Sequence, residues 1–309
     1  MPWFEDIVQA VGPRHDLSIY DPGRPLADQF QGIDGVIDYG GKVGTREMAD
    51  IAAGKVRLWQ IITSGYEHFD LAYWKQKKIP VANTPGHCSG PALAECALML
   101  MLLVARRWNE GQAGLRQGDI YKPLGSELGG RQLGLIGFGA SACELARRVR
   151  PFQMRVSAID VREVSQREQE DLGLGFVGKP GEMDRVIAES DYVSLHLHLN
   201  KETHHIMDGR RIGLMKKSAY LINVARGGLV DEEALYAALR DGRIGGAGLD
   251  VFAMEPLDPN SPLFKLPNVV ATPHIAGVTD GTSRRRAAFA GENMDRIAAG
   301  LEPLGRIDL

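Results

Sequence analysis

Residues 131–160 constrain the fold more than any other stretch of this chain. Leu133, Leu135 and Ile136 form a short apolar run suited to a buried parallel strand, and Gly137, Gly139 and Ala142 follow at the spacing of a dinucleotide fingerprint. The first small residue lets the chain turn, the second lets backbone N–H groups approach a pyrophosphate, and the third lets helix and strand pack closely. The helix that begins there adds partial positive charge at its N-terminus. Residues 154–159 then read as a second strand ending in Asp160, about twenty residues beyond the glycines, where a carboxylate accepts both ribose hydroxyls. Such an acid repels a 2′-phosphate, so NAD is the expected cofactor and NADP the less favoured one. Arg162 is the one local feature that argues the other way.

The literal glycine pattern recurs at Gly173, Gly175 and Gly178. There it follows the polar run SQREQEDL and precedes GKPGE, with no strand before it, and it reads as a helix stop and turn. Context separates the two occurrences.

At 309 residues the chain can hold two domains, each able to bury a core. The expected division is residues 1–95 with 277–309 as a substrate domain and residues 96–276 as the dinucleotide domain. A formal charge of −3 gives no basic footprint, which argues against nucleic acid as a partner. Cys88, Cys96 and Cys143 form no C-x-x-C pair and leave one over, which suits a reducing cytoplasm. The N-terminus lacks the plan of a signal peptide, and the apolar stretch 96–105 is too short to span a bilayer, so no membrane partner is expected.

Ahead of the fingerprint, residues 16–20, 35–37, 57–62 and 80–81 read as short strands, and 45–53 as an amphipathic helix. The chain opens on a helix, residues 3–11, where an α/β unit of this kind more often opens on a strand. Helix 91–104 is apolar on nearly every face apart from Glu95 and must be buried all round, in a core or, as favoured here, in a subunit interface. Beyond Asp160, strands at 192–197, 219–224, 246–251 and 269–272 alternate with helices at 165–172 (or a loop), 183–189, 209–215 and 232–241, and a last helix covers 281–300. That alternation predicts a doubly wound α/β parallel sheet, a Rossmann domain, beside the smaller α/β unit, which is expected to be flavodoxin-like.

Ligands of an open parallel sheet bind outside the carboxyl ends of its strands. Just beyond the late strands stand Arg226, Asp250, Glu255 and His274: one cation, one imidazole and two carboxylates directed to one edge. Singly, each has a plain alternative as a surface ion pair, a solvated acid or a loop histidine. Ser64 and Gly65 end a strand on a small-residue turn whose N–H groups can bind a carboxylate, though from this stretch alone a plain turn is the favoured account. His196 and His198 would share one strand face as metal ligands do, but no acid or cysteine stands beside them at ligand spacing, and no metal is expected.

NVARGGLVDEEAL, GLDVFAMEP and TPHIAG, with Asn83-Thr84-Pro85-Gly86 and GLIGFG upstream, resemble the D-isomer-specific 2-hydroxyacid dehydrogenases. The resemblance runs from about Arg57 to Gly300 and implies a homodimeric, NAD-dependent oxidoreductase acting on a small 2-hydroxy or 2-keto acid. It implies that Arg226 holds the substrate carboxylate and keto oxygen, that His274 is the general acid/base, and that Glu255 hydrogen-bonds and tunes the histidine. It places Ser64 and Gly65 at the substrate carboxylate and Asp250 at the nicotinamide carboxamide. Arg162, His196, Val224, Ala225 and Gly277 join Gly137, Gly139, Ala142 and Asp160 along the cofactor. Departures are Ala142 for the last glycine, HLHLN at 196–200 in place of His-x-Pro-x-Thr, Cys88, and the missing opening strand. Two alternatives stay open: an NAD(H)-sensing, non-enzymatic dimer resembling transcriptional co-repressors, and formate oxidation on the same scaffold, against which Glu255 weighs because the formate enzymes carry glutamine there.

Overall fold

A computed structural model describes residues 2–39, 44–66 and 69–309. The chain runs α1 (Pro2–Val11), α2 (Leu26–Gln29), β1 (Gly35–Asp38), α3 (Arg46–Ala52), β2 (Leu58–Ile61), α4 (Leu71–Gln76), β3 (Val81–Ala82), α5 (Gly90–Ala105) and α6 (Trp108–Leu115). It continues through β4 (Gln132–Ile136), α7 (Ala140–Val149), β5 (Arg155–Ile159), α8 (Gln166–Leu172), β6 (Leu174–Gly178), α9 (Met183–Glu189) and β7 (Tyr192–Leu195). The last elements are α10 (Gly209–Leu214), β8 (Tyr220–Asn223), α11 (Glu232–Arg240), β9 (Gly246–Leu249), β10 (Val269–Ala271) and α12 (Asp280–Ala298). Two compact units result, one from the residues up to Ser89 with Val278–Leu309, the other from Gly90–Gly277.

In the first unit β1, β2 and β3 form a parallel sheet. One face carries Trp59, Trp74, Phe30 and Phe69 with Met48 and Ala49 of α3, and the Trp59 indole donates to the buried Asp38 carboxylate at 2.8 Å. The other face is covered by α1 and α12, which bury Ile7, Val11, Ala290 and Met294 against Leu58 and Ile62. The opening helix is therefore a structural layer. The expected strand at 16–20 is absent. Its alternation of Leu17, Ile19 and Tyr20 finds no neighbouring strand to complete a ladder, and Ile19 stays 70% exposed.

The second unit is a seven-stranded parallel sheet in the order β10-β9-β8-β7-β4-β5-β6. The chain adds β5 and β6 on one side of β4, then crosses back to add β7 to β10 on the other, so the topological switch lies between β4 and β7. Helices α5 and α7 cover one face, and α9, α10 and α11 the other. β6 was not expected: Gly173 does stop α8, at φ +68°, but Leu174–Gly178 then pairs with β5 as an edge strand instead of turning. Its glycines hid it, because an edge strand held on one side tolerates residues with little β-propensity.

Helix α5, apolar apart from Glu95, packs one side into the core of the second unit. Ala94, Ala97, Leu100, Met101 and Val104 are buried against α7, β8, β9 and β10, and Met99 is the large apolar side chain of this helix left exposed. Other expected elements are present with ends that differ by a residue or two. Since Leu100 is wholly buried at the α5–sheet contact, Leu100→Ala is expected to cost about 2–5 kcal/mol. Chemical denaturation followed by circular dichroism would check this, and an unchanged midpoint would contradict the packing.

Candidate active site

The fingerprint loop leaves β4 at Gly137, which sits at φ +88°, and a Cβ there would lie 2.7 Å from the His196 carbonyl oxygen. Only glycine meets both conditions. Gly139 caps α7, and nothing lies within 4 Å of where its Cβ would be, so the backbone is open on that side to an approaching phosphate. Ala142 is fully buried in the first turn of α7. These features fit a dinucleotide.

Asp160 follows β5 and accepts the Phe138 N–H on one oxygen and the Arg162 N–H, at 2.8 Å, on the other. The acid thus ties the glycine loop to the end of β5. A carboxylate offers about four lone-pair sites, so two amides leave capacity for ribose hydroxyls. The Arg162 fork is closed on Glu168, with Nη1–Oε2 2.9 Å and Nη2–Oε1 2.7 Å.

His196 and His198 lie beyond the end of β7, so they do not share a strand face as the sequence suggested. The His196 ring bridges two hydroxyls, Ser141 Oγ at Nδ1 and Ser194 Oγ at Nε2, each at 2.9 Å. Burial pulls its pKa from 6.5 to about 3 and keeps it neutral, so one serine donates to the ring and the other accepts. Val224 and Ala225 are buried just after β8, and Gly277 is half-buried after Ala276.

Arg226, Glu255 and His274 stand in the loops after β8, β9 and β10, which are adjacent strands, so all three leave the same edge of the sheet. Glu255 Oε2 accepts from His274 Nδ1 at 2.6 Å, and its Oε1 takes the Phe252 N–H at 3.0 Å. A carboxylate only accepts, so the proton sits on Nδ1 in the neutral ring, and Nε2 is the nitrogen left to face a ligand. The Arg226 carbonyl accepts from the Asn223 side-chain amide at 2.9 Å, and Nη1 donates to the Ala225 carbonyl at 2.7 Å.

Asp250 has no exposed surface. Its Oδ1 accepts from the Thr272 hydroxyl at 2.6 Å and the Ile275 N–H at 2.8 Å, and its Oδ2 from the Ala276 N–H at 2.8 Å. That makes it the anchor of the loop carrying His274, a role the sequence did not disclose. Asn223, Thr272, Phe138, Ser141, Ser194 and Glu168 were likewise missed. Their parts depend on register between distant strands and helices, which leaves no local signal.

In the first unit, Ser64 and Gly65 form the turn after β2, held by Asn83 Nδ2 on the Ser64 carbonyl (2.8 Å) and by the Thr63 hydroxyl on the Gly65 carbonyl (2.8 Å). The Ser64 hydroxyl is buried and has no hydrogen-bond partner among the described residues. An unpaired buried hydroxyl is costly, and a ligand oxygen would satisfy it.

Residues 98–276 match the family described as "D-isomer specific 2-hydroxyacid dehydrogenase, NAD binding domain". The chain is 38% identical over 258 residues to a glyoxylate reductase of Thermofilum pendens, covering 82% of this chain and 75% of that protein. It is 40% identical over 247 residues to a hydroxypyruvate reductase of Thermotoga maritima, covering 78% of each. Among solved structures it resembles a D-lactate dehydrogenase with NAD+ from Lactobacillus jensenii, with a TM-score of 0.80, 26% identity, and coverage of 98% and 97% of the two chains. Among the described residues no helix is long and apolar enough to cross a membrane.

The depressed His196 pKa has a definite sign. The unfolded chain takes up a proton near pH 6.5 that the folded one refuses until about 3. Stability is therefore fully present above about 6.5 and lost as the pH falls towards 3. His196→Gln should show a shallower loss than the wild type in denaturation curves taken across that window, whereas parallel curves would contradict a desolvated neutral ring.

Proposed function

Because the chain belongs to the D-isomer-specific 2-hydroxyacid dehydrogenases, enzymes built on an NAD-binding domain, we propose that it interconverts a small D-2-hydroxy acid and its 2-keto acid. Two similar proteins are named glyoxylate reductase and hydroxypyruvate reductase, which supports a two- or three-carbon substrate. The observation that carries the reading is the His274–Glu255 pair, 2.6 Å apart, on the same sheet edge as Arg226.

When bound, the reduced nicotinamide supplies hydride to the carbonyl carbon. His274 as the imidazolium, held by Glu255 through Nδ1, gives the Nε2 proton to the carbonyl oxygen and is left as the neutral Nδ1–H ring, which takes the proton back in the reverse direction. Glu255 fixes the ring and compensates its positive charge. Arg226 offers a planar fork matched to a carboxylate and draws the negative charge that develops on oxygen. In this reading Ser64 and Gly65 receive the substrate carboxylate, with the first unit as substrate domain and the second as cofactor domain. Gly137, Gly139, Ala142 and Asp160 hold pyrophosphate and ribose; His196, Val224, Ala225, Asp250 and Gly277 flank the nicotinamide, Asp250 by fixing the His274 loop. The acid at position 255 supports this reaction over formate oxidation.

The chain also works as a homodimer in this reading. What supports it is an apolar stretch after α6, in which Ile120, Tyr121 and Leu124 are 67%, 98% and 89% exposed. Beside it, a half-open cavity of about 590 Å³ is lined by Trp108, Leu124, Tyr220 and Leu266 at the amino ends of the strands, opposite the edge of His274. The free cysteines support a cytoplasmic location.

NADH oxidation followed by absorbance with glyoxylate, hydroxypyruvate, pyruvate and phosphohydroxypyruvate tests the reaction. Turnover of at least one is expected, and turnover of none would overturn the reading. His274→Ala should lower kcat by about two to four orders of magnitude while NADH still binds in a fluorescence titration. Arg226→Lys should lower kcat/KM through loss of the fork. Retention of wild-type kcat by the histidine variant would remove it from the reaction.

A further inference from the structure

The adenosine end of the cofactor site holds two features that pull in opposite directions. Asp160 repels a 2′-phosphate, while Arg162 carries the planar fork that binds phosphate bidentately. In the structure that fork is engaged. Both terminal nitrogens of Arg162 are on Glu168, at 2.9 and 2.7 Å, and Nε donates to the Phe138 carbonyl at 3.0 Å. The guanidinium lies over the Phe138 ring, 5.3 Å from its centroid. Glu168 is itself fixed, because the Ser165 hydroxyl caps α8 by accepting the Glu168 N–H at 3.2 Å. The guanidinium holds the Glu168 carboxyl below its ordinary pKa, so the pair is charged at neutral pH. Lys179, the other cation at this edge, is occupied by the Val161 and Arg162 carbonyls and by Glu163.

We propose that Glu168 sets the coenzyme preference: by closing the Arg162 fork against Phe138, it leaves Asp160 as the charged group that meets the adenosine ribose and excludes a 2′-phosphate. Arg162 then serves as a brace for the glycine loop, not as a phosphate ligand. Asp160, Glu168 and Arg162 together carry one net negative charge, and a 2′-phosphate adds about two more. Removing Glu168 cancels that excess and releases the two terminal nitrogens of the fork beside the ribose, while Nε stays on the Phe138 carbonyl. The proposal rests on the reading that Gly137 to Asp160 hold the coenzyme.

Calorimetric titration of the full chain with NADH and with NADPH, in the absence of any keto acid, tests it without turnover. The wild type should bind NADH the more tightly. Glu168→Ala should shift the NADPH-to-NADH affinity ratio towards NADPH by about tenfold, the scale of one charge-assisted hydrogen bond. Arg162→Ala added to Glu168→Ala should return the ratio towards the wild-type value. If the alanine variant does not fold, Glu168→Gln, which keeps the size and one acceptor, should shift the ratio in the same direction. An unchanged ratio in a folded Glu168 variant would overturn the proposal. So would an equal gain in the double variant, since that assigns the effect to the lost charge alone. Binding of neither nucleotide by the wild type would overturn the coenzyme site itself.

Discussion

A buried polar seam across the carboxyl ends of β8, β9 and β10 holds the proposed catalytic side chains where they are. Asn223 ends β8 and secures the Arg226 carbonyl through its side-chain amide, and its own carbonyl accepts the Asp250 N–H at 2.9 Å. Asp250 passes the constraint to the third strand by gathering the Thr272 hydroxyl and the Ile275 and Ala276 amides. His274 sits inside that turn at φ +54°, a backbone region unfavourable for a non-glycine residue by roughly 1–3 kcal/mol. The N–H of His274 is held by the Asp250 and Thr272 carbonyls. A carboxylate with no exposed surface is stable only when its oxygens are satisfied, and here the groups that satisfy it are those that shape the loop.

The sheet supplies the rest of the arrangement. Parallel strands all present their carboxyl ends to one edge, and the reversal of strand order between β4 and β7 opens a crevice there. β4 and β5 deliver the glycine loop and Asp160, while β8, β9 and β10 deliver Arg226, Glu255 and His274. The glycine loop with Asp160 and the Arg226, Glu255 and His274 loops thus leave two halves of one edge, divided by β7 and by His196 just beyond it. The apolar helix α5 fills the face beneath β8 to β10.

Much of this was legible in the residues. Gly137 announced itself because its left-handed turn and the nearby His196 carbonyl both require a missing Cβ, and Asp160 because it ends a strand at a fixed distance beyond the glycines. The strand–helix alternation after Asp160 was legible because buried parallel strands are short and nearly all apolar. Legibility failed where a feature depends on a neighbour remote in sequence. Residues 16–20 have the alternation of a strand but no strand to pair with, and β6 has poor strand composition but a partner in β5. The site divides in the same way: Arg226, Glu255 and His274 are carried by recognisable segments, whereas the hydrogen bonds by which Asp250 anchors the His274 loop leave no mark in the sequence. Nothing in SQREQEDL marks Glu168, whose partner is set by how α8 lies beside the end of β5.

In the proposed reaction Arg226, Glu255 and His274 act together on one small acid beside one nicotinamide. A crystal structure of the chain with NADH and oxamate, an unreactive analogue of a 2-keto acid, measures this most directly. The predicted result is the His274 Nε2 and the Arg226 guanidinium within hydrogen-bond distance of oxamate oxygens, Glu255 still on Nδ1, and the nicotinamide C4 facing the oxamate carbonyl carbon. Oxamate bound away from these side chains, or an imidazole turned from the nicotinamide, would contradict it.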